Sequence, residues 1–235
     1  MTSPIDAARR PRRDALENRA GILAAAHVAL AHDPRASVDA IARQAGLSRR
    51  ALYGHFDDRD ALVRELVAQG AARFNAVARS IDDDDARVAL ARLAAALWNE
   101  AAHVQVLAAI ALDEAHLDET ATALAPLRRA VVRIVREGQQ ADALRTDVAA
   151  PTLARLVEET ARTVITRIDA SSPAARDLAV RSVLSIAGLS WREAAALLAD
   201  HPEILAAPTA PAAAEGAPTA AEAPEAAPGT PEATE

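Results

Sequence analysis

Eleven residues of this alanine-rich chain bring together side chains that could bind a nucleic acid. The stretch GLSRRALYGHF, Gly46–Phe56, holds two arginines, one tyrosine and one histidine. Ser48 is a suitable N-cap for a short helix that begins at Arg49, and Ser37 is a suitable N-cap for a helix before the Gly46 turn. Two short helices joined by a glycine turn have the form of a helix-turn-helix.

The second of these helices presents a polar face that suits the major groove of DNA. At about 100° per residue, Arg50 lies opposite the apolar Leu52 and would point outward. An outward arginine can bind guanine through two hydrogen bonds, and donors on its flanks can reach phosphates. The flanking polar residues are Arg49, Tyr53 and His55. Taken alone, the pattern fits a solvated surface helix equally well.

The composition predicts an all-α protein. Hydrophobic residues make up 51% of the 235 residues, but aromatic residues only 2%. Alanine is the best helix former, whereas strands favour β-branched and aromatic residues. The chain has no cysteine, which excludes disulfides and cysteine-ligated metals. We also expect a cytoplasmic protein, because no apolar run is long enough to span a bilayer and the N-terminus lacks the apolar region of a secretory signal.

Charge is distributed unevenly along the chain. The net charge is −7, yet residues 1–60 hold ten arginines against eight acidic residues. A mildly basic front on an acidic body is compatible with a local DNA-binding unit. An enzyme is not expected: the densest acidic cluster, Asp82–Asp85, lies where a helix begins, and acids are common there.

The sequence pattern divides the chain into four parts. Residues 1–13 would form a flexible arm, 14–60 a three-helix unit with the helix-turn-helix, 61–205 a helical body, and 206–235 a disordered tail rich in alanine, proline and glutamate. The body is predicted to contain a long helix from Asp58 to Ile81 and then helices at 86–102, 104–115, 121–140, 152–168 and 174–187. Ser190 and Glu193 form a capping-box pattern for a last short helix.

The block SVDAIARQAGLSRRALYGHFDDRDALV, Ser37–Val63, closely resembles the DNA-binding signature of the tetracycline-repressor (TetR) family. The matching residues are Ser37, Ile41-Ala42, Ala45-Gly46, Leu47-Ser48, Leu52-Tyr53, His55-Phe56, Asp58-Arg59 and Leu62. The link Ala31–Ser37 departs from the family pattern, being shorter and carrying Pro34 where a glycine and an aromatic residue are common.

This resemblance implies roles for individual residues. Tyr53, His55 and Arg59 match positions that bind phosphates, and the caps Ser37 and Ser48 match phosphate contacts at helix starts. Arg49 and Arg50 fall where the family reads bases. The pair Arg12 and Arg13 could enter the minor groove, although plain solvation explains that pair equally well.

The resemblance also implies a homodimer and a ligand cavity. The family pairs its last two long helices across a dimer interface and places a small-molecule cavity among its middle helices. The candidate cavity residues here are Phe74, Trp98, Asn99, His103 and Thr160. No cofactor is expected, and no metal, because His103 and His116 are far apart in sequence.

Together these features predict a homodimeric DNA-binding transcriptional regulator, a repressor that a small molecule releases from a palindromic operator. Two alternatives remain open at this point. One is a regulator that works without an effector, and the other is a helical interaction scaffold that has lost DNA binding. The effector, the operator sequence and the sign of regulation cannot be deduced from the sequence.

Overall fold

The computed structural model describes residues 4–102, 117–168, 172 and 174–206. This part of the chain is helical and contains no strand, as predicted. The helices are α1 Pro4–His32, α2 Val38–Gln44, α3 Arg49–Tyr53, α4 Arg59–Ser80, α5 Ala86–Ala102, α6 Leu117–Ala123, α7 Ala125–Gln140, α8 Ala150–Arg167, α9 Ala175–Ala187 and α10 Trp191–Asp200, followed by a 3-10 turn, Pro202–Ile204.

The predicted helix caps are confirmed. The side chains of Ser37, Ser48 and Asp58 accept hydrogen bonds from the backbone N–H groups of Ala40, Ala51 and Ala61 at 3.2, 3.1 and 2.6 Å. Ser190 and Glu193 form a reciprocal capping box at the start of α10. Each cap satisfies N–H groups that the first turn of a helix leaves without an internal partner.

A first cluster of buried side chains holds α1, α2, α3 and the start of α4 together. Its fully buried members are Ile22, Leu30, Ile41, Leu52, Leu62 and Val63. They include Leu52, the apolar residue of α3 that the sequence pattern placed opposite the outward Arg50. The short helices are thus fixed by packing, since helices of this length are not stable in isolation.

A second cluster joins α5, α7, α8, α9 and α10. Its fully buried members include Leu90, Ile134, Leu153, Val180 and Leu184. Helix α9 packs against both α5 and α8. Small residues such as Ala91 and Ala187, both fully buried, let these helices approach closely.

Helix α4 belongs to both clusters. Leu62, Val63 and Leu66 lie in the first cluster, and Ala78, near the other end of the same helix, lies in the second. The helix has 22 residues and no break between these points. One continuous helix therefore joins the two clusters.

The structure differs from the sequence-based expectation at two helices. Residues 4–13, expected to be a flexible arm, are the first turns of α1, which starts at Pro4 rather than Asp14. Alanine and arginine are strong helix formers, and Pro4 stands at the helix start, where proline is tolerated. Pro11 lies within α1 and leaves one carbonyl of the preceding turn without a helical donor. The helix predicted over 121–140 is interrupted at Leu124, because Pro126 has no N–H to donate to the preceding turn.

Two further predictions fall outside the described residues. They are the helix expected at 104–115 and, apart from Ala206, the tail expected at 206–235.

A glycine in α7 permits the closest approach in the second cluster. A Cβ built on Gly138 would lie 2.5 Å from Leu144 Cδ1 and 2.8 Å from Ala86 Cβ. We expect Gly138→Ala to lower the free energy of unfolding by about 1–2 kcal/mol, because overpacking outweighs the gain in helix propensity. Urea denaturation would measure this change. The control is Gly21→Ala in α1, which meets no atom within 4 Å and should raise stability by about 0.5–1 kcal/mol. Equal effects of the two substitutions would contradict this account of the packing.

Candidate nucleic-acid interface and internal cavity

The turn between α2 and α3 has the geometry of a helix-turn-helix. Gly46 has a φ of +67°, in the left-handed region that glycine adopts without strain. The backbone N–H of Leu47 then donates to the carbonyl of Ala42 at 2.9 Å, which closes the turn. Leu52 and Phe56 are buried beneath it, so α3 rests on the core with its polar face outward.

Arg50 is the most available cation of α3. Its side chain is exposed, and within the described residues it makes no hydrogen bond or ion pair. Tyr53, one turn further on, keeps 39% of its surface exposed. An arginine without a partner can direct all its donors to a ligand, which is the condition for bidentate binding to guanine or phosphate.

Arg49 is already engaged by neighbours. Its Nε lies 3.3 Å from Oδ1 of Asp39 on α2, and its guanidinium lies 5.5 Å from the ring centre of Tyr53. Hydrogen bonding to Tyr53, and then the charge of Asp39, raise the pKa of Arg49. The pair is solvent-exposed and therefore weak. Arg49 can exchange Asp39 for a phosphate, but Arg50 needs no such exchange.

Arg59 supports the loop between α1 and α2. Its Nε donates to the carbonyl of Ala36 at 3.1 Å and its Nη2 to the carbonyl of Pro34 at 2.7 Å. These are the residues of the shortened link, whose carbonyls need donors. The family resemblance implies only a phosphate contact for Arg59. In the structure two of its nitrogens also hold the loop between α1 and α2.

The serine caps retain one donor each. The hydroxyl oxygens of Ser37 and Ser48 accept from their own helices, so their O–H groups remain able to donate to a phosphate. His55 is half-buried behind α3, and its carbonyl accepts a hydrogen bond from Arg19.

Arg19 is a functional residue that sequence reasoning missed. Its guanidinium lies 4.2 Å above the ring centre of Phe56, donates to the His55 carbonyl and forms an ion pair with Glu65 of α4. It thereby fixes the end of the helix-turn-helix against α1 and α4. Its partners lie 36 and 46 residues away, so no local spacing could reveal the contact.

A cavity of about 200 Å³ lies between the two clusters. Most of its wall is apolar, and helices α4 to α9 each contribute to it. The lining side chains include Leu66, Val67, Phe74, Leu93, Leu97, Leu124, Leu127, Val131, Val157, Ala161, Ile165 and Val183. A concave apolar space with a few polar groups is the usual form of a small-molecule site.

One ion pair stands at the wall of this cavity. Arg128 Nε lies 3.1 Å from Glu158 Oε2, and Arg128 Nη1 donates to the Ala121 carbonyl at 3.3 Å. Burial raises the pKa of Glu158, against the opposing effect of Arg128. Arg73 and Arg162 also line the cavity. Arg73 forms an ion pair with Glu100, and Arg162 forms one with Glu159. The described wall is therefore apolar, with arginine–carboxylate ion pairs along its polar edge.

Of the five residues expected to line a cavity, Phe74 does so. Trp98 is only 5% exposed but packs with Val164, Ala175 and Ala179 in a small separate cluster. Asn99 accepts a hydrogen bond from Arg176 instead.

Of the remaining two expected residues, Thr160 lies in the described part of the chain and does not line this cavity. Thr160 lies about 100° round α8 from the lining residue Ala161, and lines a second pocket of about 440 Å³ together with Arg181 and Trp191. His103 lies outside the described residues.

Comparison with known proteins identifies the first cluster. Residues 22–66 match the family model described as "Bacterial regulatory proteins, tetR family". These residues form a TetR-family domain. The resemblance seen in the sequence is thereby confirmed, and it implies DNA-binding regulation of transcription. The sequence matches no curated protein.

Solved structures share the fold beyond this TetR-family domain. PfmR, a TetR-family regulator from Thermus thermophilus, aligns with a TM-score of 0.62 and 20% identity over 72% of this chain and 98% of its own. FadR from Bacillus subtilis, solved with stearoyl-CoA, aligns with a TM-score of 0.60 and 18% identity over 72% and 97%. SmeT is the repressor of a multidrug efflux pump of Stenotrophomonas maltophilia. It aligns with a TM-score of 0.57 and 20% identity over 71% of this chain and 88% of its own. In the described part of this chain no helix is long and apolar enough to cross a membrane.

The different environments of two arginines predict different effects on stability. Arg59→Ala removes two hydrogen bonds to loop carbonyls and should lower the free energy of unfolding by about 1–2 kcal/mol. Arg50→Ala removes an exposed side chain and should change it by less than about 0.5 kcal/mol. Thermal and urea unfolding of both variants would measure this. A stable Arg59→Ala protein would show that the loop does not need this brace.

Proposed function

We propose that this TetR-type regulator is a cytoplasmic, homodimeric repressor that a small molecule releases from DNA. The observation that carries the proposal is the exposed Arg50 on α3, which has no partner among the described residues and lies in the segment that matches the TetR family. The first cluster would serve as the DNA-binding domain. The described helices beyond it would serve as the ligand-binding and dimerisation domain.

In this proposal α3 enters the major groove. Arg50 binds a base, preferably guanine through O6 and N7. Arg49, Tyr53 and the O–H groups of Ser37 and Ser48 bind phosphates at the groove edges. His55 and Arg59, which follow α3 in the chain, complete the phosphate set, with Arg59 also holding the loop.

A dimer would be formed by helices α8 to α10. Exposed large apolar side chains stand on each of them: Leu156 is 42% exposed, Leu178 44% and Trp191 71%. Exposed apolar groups of this size in a soluble protein mark an interaction surface when they are close together. Two copies paired through this surface would present two α3 helices to an inverted repeat.

The effector would occupy the internal cavity. The wall favours a molecule with an extended apolar part, and Arg128 with Glu158 offers a place for one polar or acidic end group. The fold neighbour FadR was solved with stearoyl-CoA, a molecule of this general character, which supports the proposal. Because α4 forms part of the cavity wall and also belongs to the DNA-binding domain, a ligand that prefers one position of α4 would shift the population of DNA-competent dimers.

Electrophoretic mobility shift at two salt concentrations would test DNA recognition. We expect one fragment from the region upstream of the protein's own gene to bind tightly and to resist unlabelled competitor DNA. Arg50→Ala combined with Tyr53→Ala should weaken this binding at least ~10-fold, since one bidentate base contact contributes about 1–3 kcal/mol.

The control variant is Arg133→Ala, which removes one exposed arginine from α7 and should bind as wild type does. Weak wild-type binding to every fragment, lost as salt increases, would be phosphate attraction alone and would favour the scaffold alternative. Specific binding with no response to any effector would favour the effector-independent regulator.

Sedimentation equilibrium would test the dimer surface. Leu178→Glu places a charge in the proposed apolar interface and should convert the protein to a monomer at micromolar concentration. Val28→Glu is the matched control, because Val28 is 48% exposed but lies on α1, away from α8 to α10. A Leu178→Glu protein that stays dimeric would place the interface elsewhere.

A further inference from the structure

Asn75 is a buried polar residue of α4 with an unusual pair of partners. Its side chain is 7% exposed, and its Nδ2 donates to the Ala123 carbonyl at 2.8 Å. Its Oδ1 accepts a hydrogen bond from the backbone N–H of Leu127 at 3.0 Å. Ala123 is the last residue of α6, and Leu127 lies in the first turn of α7.

The two backbone groups would bind each other if α6 and α7 were one helix. A continuous α-helix joins the N–H of residue i to the carbonyl of residue i−4, which here is Leu127 to Ala123. Pro126 cannot donate to the previous turn, and the chain kinks at Leu124. The Asn75 amide takes the place of this missing hydrogen bond. Its N–H donates to the Ala123 carbonyl, and its oxygen accepts from the Leu127 N–H. A side-chain amide supplies both a hydrogen-bond donor and an acceptor in one fixed plane.

This amide joins the cavity wall to α4. Leu124 at the kink and Leu127 just after it line the cavity, as does Phe74, the neighbour of Asn75 in the chain. Nearer the DNA-binding domain on the same helix, Glu65 pairs with Arg19. Arg19 in turn holds the His55 carbonyl and the Phe56 ring directly behind α3.

We propose that Asn75 is the positioning residue that couples the α6–α7 kink to α4, so that displacement of the kink by a cavity ligand moves the DNA-binding domain. This rests on the proposed function, because it assumes that the cavity and the DNA respond to each other. Asn75 is not among the residues that line the cavity. It acts by making the kink and α4 one rigid unit.

Reciprocity of coupling allows a test without a known effector. If the kink moves α4, then DNA that fixes α4 must also fix the kink. We would measure backbone hydrogen exchange of the full-length protein, free and bound to the duplex that shifts specifically in the mobility assay. In wild type, DNA should slow exchange in residues 120–128 by ~5-fold or more, the low end of typical allosteric coupling.

Asn75→Leu keeps the branching at Cγ but removes both hydrogen bonds, and should reduce this DNA effect to less than about twofold while DNA binding persists. Val77→Ala, two residues along α4 and packed on the second cluster, is the control for general loosening and should keep the wild-type response. If Asn75→Leu does not fold, Asn75→Ser, which is polar but too short to reach both groups, takes its place.

The outcomes separate the two proposals. A wild-type protein that binds no duplex specifically overturns the proposed function, and the coupling with it. Specific binding without any change in residues 120–128 overturns the coupling alone. An Asn75→Leu protein that keeps the full DNA effect shows that Asn75 is structural only. Loss of the effect in Val77→Ala as well assigns it to general loosening of α4 and also overturns the role of Asn75.

Discussion

The arrangement of the molecule depends on α4 being shared by two hydrophobic clusters. Burial of Leu62 and Val63 at one end fixes it to the helix-turn-helix, and burial of Ala78 toward the other end fixes it to the helical body. Hydrophobic packing is dense and responds to displacement by switching between discrete arrangements rather than by stretching. A helix held in this way cannot follow one cluster without disturbing the other, and the cavity lies along the same helix.

Polar contacts then make this hydrophobic frame specific. Arg19 with Glu65, Arg59 with the Pro34 and Ala36 carbonyls, and Asn75 with the α6–α7 kink each fix one element to α4 or to its first residue. Each contact satisfies groups that would be costly to leave unpaired in a partly buried position. By contrast, Arg50 is left without a described partner, which is what a group reserved for an external ligand requires.

Local features were predictable from the sequence and distant ones were not. Helix caps at Ser37, Ser48 and Asp58 follow from residues within three positions, and the α2–α3 unit carries a family signature in contiguous residues. The Asn75 bridge joins residues 48 and 52 positions apart, which no periodicity reveals. The cavity was equally hidden, because an apolar wall has the same sequence pattern as a packed core. Polar residues therefore drew attention to Asn99 and Thr160, which lie away from the described cavity.

In the proposed dimer, two copies of this helix-turn-helix bind one DNA site. Selection of bound duplexes from a random DNA library, followed by sequencing, tests it most directly. The account predicts an enriched inverted repeat whose half-sites each contain a guanine that Arg50→Ala no longer selects, with a fixed spacing set by the dimer. A library that yields no enriched sequence, or a single half-site without its inverted copy, would contradict it.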